Sequence, residues 1–130
     1  MAIVVAGAVI DGDKLLIAQR SKPVELAGQW ELPGGKVVAG ESEPQALARE
    51  LREELGIEVA VDSRLGEDVV VGNLVLRAYR ARLDGGIPHP HEHLALRWVT
   101  ADELDTVEWV PADGGWIPAL RAALVGARPV

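Results

Sequence analysis

The sequence predicts an α/β domain, a mixed β-sheet with helices on both faces. Three observations carry that expectation. Apolar runs of strand length alternate along the chain with an amphipathic helix. Their spacing lacks the regular strand–helix–strand repeat of an all-parallel sheet, so both parallel and antiparallel pairings are expected. The 130 residues, 48% of them hydrophobic, suit one core and a single domain over 1–130. Aromatics are scarce (four Trp, one Tyr, no Phe), so that core must rest on Leu, Val, Ile and Ala.

The elements follow in order. Ile3 to Ile10 is rich in Val, Ile and Ala and reads as a buried strand. Asp11-Gly12-Asp13 turns the chain, and Lys14 to Gln19 returns as the second strand of a hairpin. Ser21 to Gln29 reads as a loop. Trp30-Glu31-Leu32 is a short apolar segment, stopped by Pro33-Gly34-Gly35. Ser42 to Leu55 carries the strongest helix signal. Ser42 caps it with Gln45 as capping-box partner, Pro44 sits in the first turn, and Gly56 ends it. Ile57 to Val61 and Asp68 to Val71 read as two strands, and Asn73 to Leu83 as another. Asp84-Gly85-Gly86 turns into a loop, Ile87 to His93, before a strand from Leu94 to Val99. Thr100 and Glu103 form a second capping box at a short helix, and Pro118 to Val125 reads as a C-terminal helix with proline in its first turn.

Composition narrows the function. The net charge of −7 argues against nonspecific duplex binding, which needs Lys and Arg to replace counterions. It is compatible with a nucleotide ligand whose charge a metal ion neutralises. With no Cys, there is no disulfide, thiolate nucleophile or Cys-based zinc site, in keeping with a reducing cytoplasm. The apolar start MAIVVAGAVI is short, lacks a basic lead and runs into a turn, so neither a signal peptide nor a membrane span is expected.

The helix poses an electrostatic question. Relative to Leu47, Leu51 and Leu55 fall about 40° and 80° to one side, while Glu54, Glu50 and Glu53 fall about 20°, 60° and 120° to the other. Three carboxylates therefore crowd beside the buried stripe, where like charges repel. A solvated acidic face, with Arg49 pairing Glu53, is one reading. A cleft-facing cation site is the other. Carboxylates plus a backbone carbonyl from the Gly-Gly turn make an oxygen-only donor set, suited to Mg²⁺, with Mn²⁺ as a substitute.

Gly35, five residues, Glu41, seven residues, then Arg49-Glu50-Leu51-Arg52-Glu53-Glu54-Leu55-Gly56-Ile57 resembles the complete Nudix box, G-x5-E-x7-R-E-U-x-E-E-x-G-U. The segments AQR, WELPGGK, HEHLALRWV and WVPAD resemble MutT-type Nudix hydrolases, with mycobacterial and other actinobacterial members most similar. The resemblance implies an α/β/α sandwich around a mixed sheet. It implies an enzyme that hydrolyses a nucleoside triphosphate to the monophosphate and pyrophosphate. Carried onto this chain, Glu50, Glu53 and Glu54 with the Gly34 carbonyl hold Mg²⁺, and Arg49 orients the glutamates. Gly35, Glu41 and Gly56 support the box. The general base is Glu53 or Glu92, which the sequence leaves open. Arg20 matches an arginine near the substrate phosphates, its alternative being a surface cation. Glu31, Leu32 and Tyr79, with Trp30 and Trp116, are candidate walls of the base pocket. A monomer working on a nucleoside triphosphate, without nucleic acid or membrane, is the expected assembly, with a dimer as the alternative.

Two features carry the question of the base. His89, His91 and His93 alternate around Pro90 and Glu92; a zinc site and a substrate-lining role for His91 or His93 are both readings of that pattern. Asp113 stands where MutT enzymes that clear 8-oxo-dGTP carry an asparagine. An ionised aspartate only accepts hydrogen bonds, which disfavours guanine O6 and suits the exocyclic amine of cytosine. Substrates of 8-oxo-dGTP, 8-oxo-GTP, CTP or dCTP type follow, with a dedicated (d)CTP enzyme and a non-catalytic nucleotide-binding module as the alternatives. Asp113 as a turn-shaping residue is the structural alternative.

Overall fold

The computed structural model describes residues 1–127. Strands β1 (Ala2–Asp11) and β2 (Lys14–Gln19) form the expected hairpin. They pair at only two positions, Ile10 with Leu15 and Asp11 with Lys14, and then part. The segment behind the WELPGGK pattern fills the gap. β3 (Trp30–Glu31) pairs with β2, and β4 (Gly34–Lys36) pairs antiparallel with Val4–Ala6 of β1. The Trp30 segment stops before Pro33 as expected, but Gly34 and Gly35 then enter a strand of their own, which the sequence does not announce. Gly34 lies so close to β1 that any Cβ would run into the Val5 carbonyl, so glycine is what lets this strand form.

Helix α1 (Glu43–Leu55) follows as expected. Ser42 accepts from the Gln45 N–H, Gln45 answers to the Ser42 N–H, and Gly56 closes the helix in the left-handed conformation at φ 70°. The two strands expected after it are one, β5 (Glu58–Val71). Register shifts between Val61 and Arg64 and between Leu65 and Val69 bend it, and these bulges interrupt the alternation that a sequence reading follows. β6 (Leu74–Gly85) pairs antiparallel with β5 and parallel with β1 over nine positions, so the sheet is mixed. β7 (Ala95–Val99) lies along β2. The second capping box opens a 3₁₀ helix, Ala101–Thr106; a second 3₁₀ helix, Pro111–Trp116, leads into α2 (Ile117–Gly126).

The sheet runs β3-β2-β1-β6-β5, with β4 on β1 and β7 on β2. Strand alternation sorts its side chains into two cores. Val5, Val9 and Leu16 point to one face and pack with Leu47, Leu51 and Leu55 of α1. Ala6, Ala8, Leu15 and Ile17 point to the other and pack with Trp116, Leu120 and Leu124. This is the expected sandwich, one sheet between two helical layers. Among the described residues no helix is long and apolar enough to cross a membrane.

Candidate active site

The leucine stripe fixes the rotation of α1, and thereby where its glutamates lie. Leu47, Leu51 and Leu55 are fully buried. Arg49 is the hub beside them. Its guanidinium donates to Glu41 at 2.7 and 3.0 Å, to Glu50 at 3.0 Å, to Glu53 at 3.2 Å and to the Lys36 carbonyl at 3.1 Å. Hydrogen bonds from Arg49 and from the Val38 N–H hold Glu41 at a pKa of about 2. Glu41 thus ties the loop 36–41 to the helix.

The three box carboxylates do not share one point. Among the described residues no three His, Asp or Glu side chains stand close enough to enclose a cation. Arg49 draws Glu50 and Glu53 to itself, while Glu54 lines a neighbouring cleft. The donor set still fits a hard divalent cation. All the donors are oxygens. One carboxylate oxygen of Glu54 is buried without a hydrogen-bond partner. The Glu50 carboxylate fills the space that a Cβ on Gly35 would occupy, so that glycine keeps the acid against β4. Glu53 is 59% exposed, and among the described residues the ion pair with Arg49 holds its carboxylate, a weak restraint in water.

The cleft has a volume of about 410 Å³. Glu54, Glu92 and His93 line it, as do Arg20, Lys22, Lys36, Leu32 and Asp113. Burial pushes the Glu54 carboxyl up to about 7; nearby Glu50, Glu31 and Glu92 add to the rise and His93 opposes it. Arg20 is held by Glu31 at 2.9 Å and by the Lys22 carbonyl at 2.9 Å, so it is a built part of the cleft and not a loose surface cation. Lys22 and Lys36 are cleft cations that sequence reasoning misses. Their only signal there is proximity to Arg20 and to the Gly-Gly turn.

Asp113 lies in the second 3₁₀ helix and is 4% exposed. Its Oδ2 accepts the Leu32 N–H at 2.8 Å, which ties the WELPGGK segment to the C-terminal layer. Burial pushes its carboxyl up to about 7. The premise of an acceptor-only side chain therefore holds above that pH; below it the protonated form carries one donor. Tyr79 is placed elsewhere. It packs on the α1 side of the sheet, and its hydroxyl donates to Glu43 at 2.7 Å, because its position on β6 points away from the cleft. Trp116 is core, with its indole N–H on the Glu67 carbonyl, and Trp30 packs against the same core.

His91 and His93 face different partners. His91 Nδ1 faces the Glu53 carbonyl at 2.9 Å, whereas His93 Nε2 faces Glu31 at 3.0 Å. His91 thus caps the end of α1 and does not line the cleft.

The NUDIX domain family model matches residues 1–120. The chain belongs to the Nudix family. Among its relatives, the Mycobacterium tuberculosis H37Rv protein named "Putative 8-oxo-dGTP diphosphatase 2" is 59% identical over 129 residues, covering 96% of this chain and 92% of that protein. The "CTP pyrophosphohydrolase" of Escherichia coli K12 is 44% identical over 133 residues, covering 98% and 96%. The solution structure of the E. coli ORF135 protein has a TM-score of 0.78 at 39% identity, covering all of this chain and 94% of that one. A MutT structure from work on Aliivibrio salmonicida and Vibrio cholerae has a TM-score of 0.77 at 30% identity, covering 94% and 98%. This Nudix chain is a hydrolase with the mixed sandwich fold of those structures.

Proposed function

We propose that this Nudix hydrolase is a Mg²⁺-dependent nucleoside triphosphate pyrophosphohydrolase that clears 8-oxo-dGTP and 8-oxo-GTP and hydrolyses CTP and dCTP in the cytoplasm. One observation carries the reading: one cleft is lined by three cations, Arg20, Lys22 and Lys36, by the box carboxylate Glu54 and by buried Asp113. Cations and acid together suit a polyphosphate bound through a divalent ion. The relatives' names point to the same two bases.

Glu50, Glu53 and Glu54, with the Gly34 carbonyl, are the residues to hold Mg²⁺. Bound there, the ion supplies charge neutralisation and a more acidic water. Arg49 sets the glutamates, and Arg20 offers an oriented fork to phosphate oxygens. Water attacks one of the two phosphorus atoms of the α–β bridge in line; its oxygen forms the new P–O bond, the bridging P–O bond breaks, and nucleoside monophosphate and pyrophosphate are the products. The proton passes to a carboxylate, Glu53 or Glu92. Glu92 lines the cleft, whereas Glu53 is exposed and is not one of its lining residues.

A dedicated (d)CTP enzyme is the second reading, favoured by the ionised form of Asp113 as an acceptor for the cytosine amine. A panel of CTP, dCTP, dGTP and 8-oxo-dGTP with Mg²⁺, scored by kcat/KM with product chromatography, tests the proposal. Nucleoside monophosphate and pyrophosphate are expected, and Glu53→Gln should lose most turnover. Binding without any monophosphate would instead identify a non-catalytic module.

A further inference from the structure

We propose that His91 and His93 are positioning residues, a two-sided clamp that fixes Glu92 in the cleft, His91 from α1 and His93 from β3. The inference rests on the reading that Glu92 takes part in the reaction. Residues 86 to 94 form no helix or strand, and Pro88 and Pro90 contribute no N–H. A free loop would spread a carboxylate over many positions. Displacing a reacting group by about 1 Å can cost on the order of 100-fold in rate.

This loop is nonetheless tied along its length. The His89 N–H donates to the Leu55 carbonyl at 2.9 Å and the His91 N–H to the Glu54 carbonyl at 3.2 Å. Both take up carbonyls that the end of α1 leaves without helical partners. Ser21 Oγ donates to the Glu92 carbonyl at 2.9 Å, and the Leu94 N–H to the Gln19 carbonyl at 2.9 Å.

The side-chain ties come from the residues on either side of Glu92. His91 Nδ1 faces the Glu53 carbonyl, an acceptor only, so Nδ1 carries the hydrogen. His93 Nε2 faces the Glu31 carboxylate and donates to it. Arg20 holds the same carboxylate at 2.9 Å, so the anchor is itself fixed. The His93 side chain is 10% exposed, too enclosed for a surface residue. An imidazole suits such a tie because it is rigid beyond two torsions and donates from a defined atom. The alternation of histidines around Glu92 thus reads as one tie to the box helix and one to the strand that holds Arg20.

The test is a double-mutant cycle with whichever of CTP, dCTP and 8-oxo-dGTP is turned over fastest. His93→Ala is expected to lower kcat by about 10- to 100-fold while KM changes by less than about 3-fold. His93→Gln, whose amide nitrogen sits where Nε2 does, should restore most of the loss. In a Glu92→Gln background, His93→Ala should cost less than about 2-fold more, because the clamp then holds nothing that reacts. A loss of equal factor in both backgrounds, or a change in KM alone, would overturn the clamp. Glu92→Gln with wild-type turnover would overturn the reading of Glu92 itself, a distinguishable result. His91→Ala supplies a second arm of the cycle, and thermal melting identifies any variant that does not fold.

Discussion

Asp113 shows how much one residue's surroundings change its meaning. As a letter it is an acceptor; buried, with its carboxyl pushed up to about 7, it exchanges donor and acceptor roles near neutrality. Two outcomes follow. The kcat/KM ratio of 8-oxo-dGTP to CTP should rise as pH falls from about 8 to about 6, since the protonated form donates where the anion repels guanine O6. Asp113→Asn should fix the donor-bearing form and shift the ratio toward 8-oxo-dGTP by about 10-fold at pH 8, within the worth of one base-edge contact. The Asn Oδ1 keeps the bond from the Leu32 N–H, so the fold should be retained. Unchanged ratios in both experiments would leave Asp113 as a structural tie only.

At the scale of elements, α1 separates folding from chemistry. Ser42→Ala removes one half of the capping box and should cost about 1 kcal/mol of stability with turnover unchanged, measured by denaturant unfolding and a steady-state assay. Leu51→Ala, at a fully buried position under the helix, should cost about 2–5 kcal/mol. The helix is legible in the sequence because cap, stripe and glycine stop are local. β5 is not, because its bulges place Asp62 to Glu67 in a bent strand whose pattern depends on its pairing with β6. Likewise the 3₁₀ form of residues 101 to 106 is a tertiary outcome, although its capping box is plain in the sequence. The box acids are readable from their spacing. Arg49's hold on Glu50 and Glu53 is local too, at i, i+1 and i, i+4. The cationic wall of Lys22 and Lys36 and the histidine ties arise from contacts between distant segments, which no local pattern encodes.

For the molecule as a whole, acidity works against the fold where it serves the site. Glu54 and Asp113 both have raised carboxyl pKa values of about 7, against ordinary values of 4.5 and 3.8. Each binds its proton more tightly folded than unfolded, so each lowers stability as pH rises from its ordinary value through about 7. Glu41, lowered to about 2, acts oppositely: its contribution is complete above 4.5 and is lost as pH falls toward 2. The melting temperature in chelator should therefore decline between about pH 5 and pH 8. Glu54→Gln with Asp113→Asn should flatten that decline; an unaltered slope in the double variant would assign it to other groups.

The central claim is that the glutamates crowded on α1 are there for chemistry and not for the fold. Glu54 tests it most directly, since its buried oxygen has no partner among the described residues. The measurement is the turnover of Glu54→Gln with Mg²⁺, with thermal melting as the control for folding. The expected loss is about 100-fold or more, the scale of removing one group that stabilises developing charge, in a protein that melts no lower than wild type. Turnover within about 2-fold of wild type would contradict the claim.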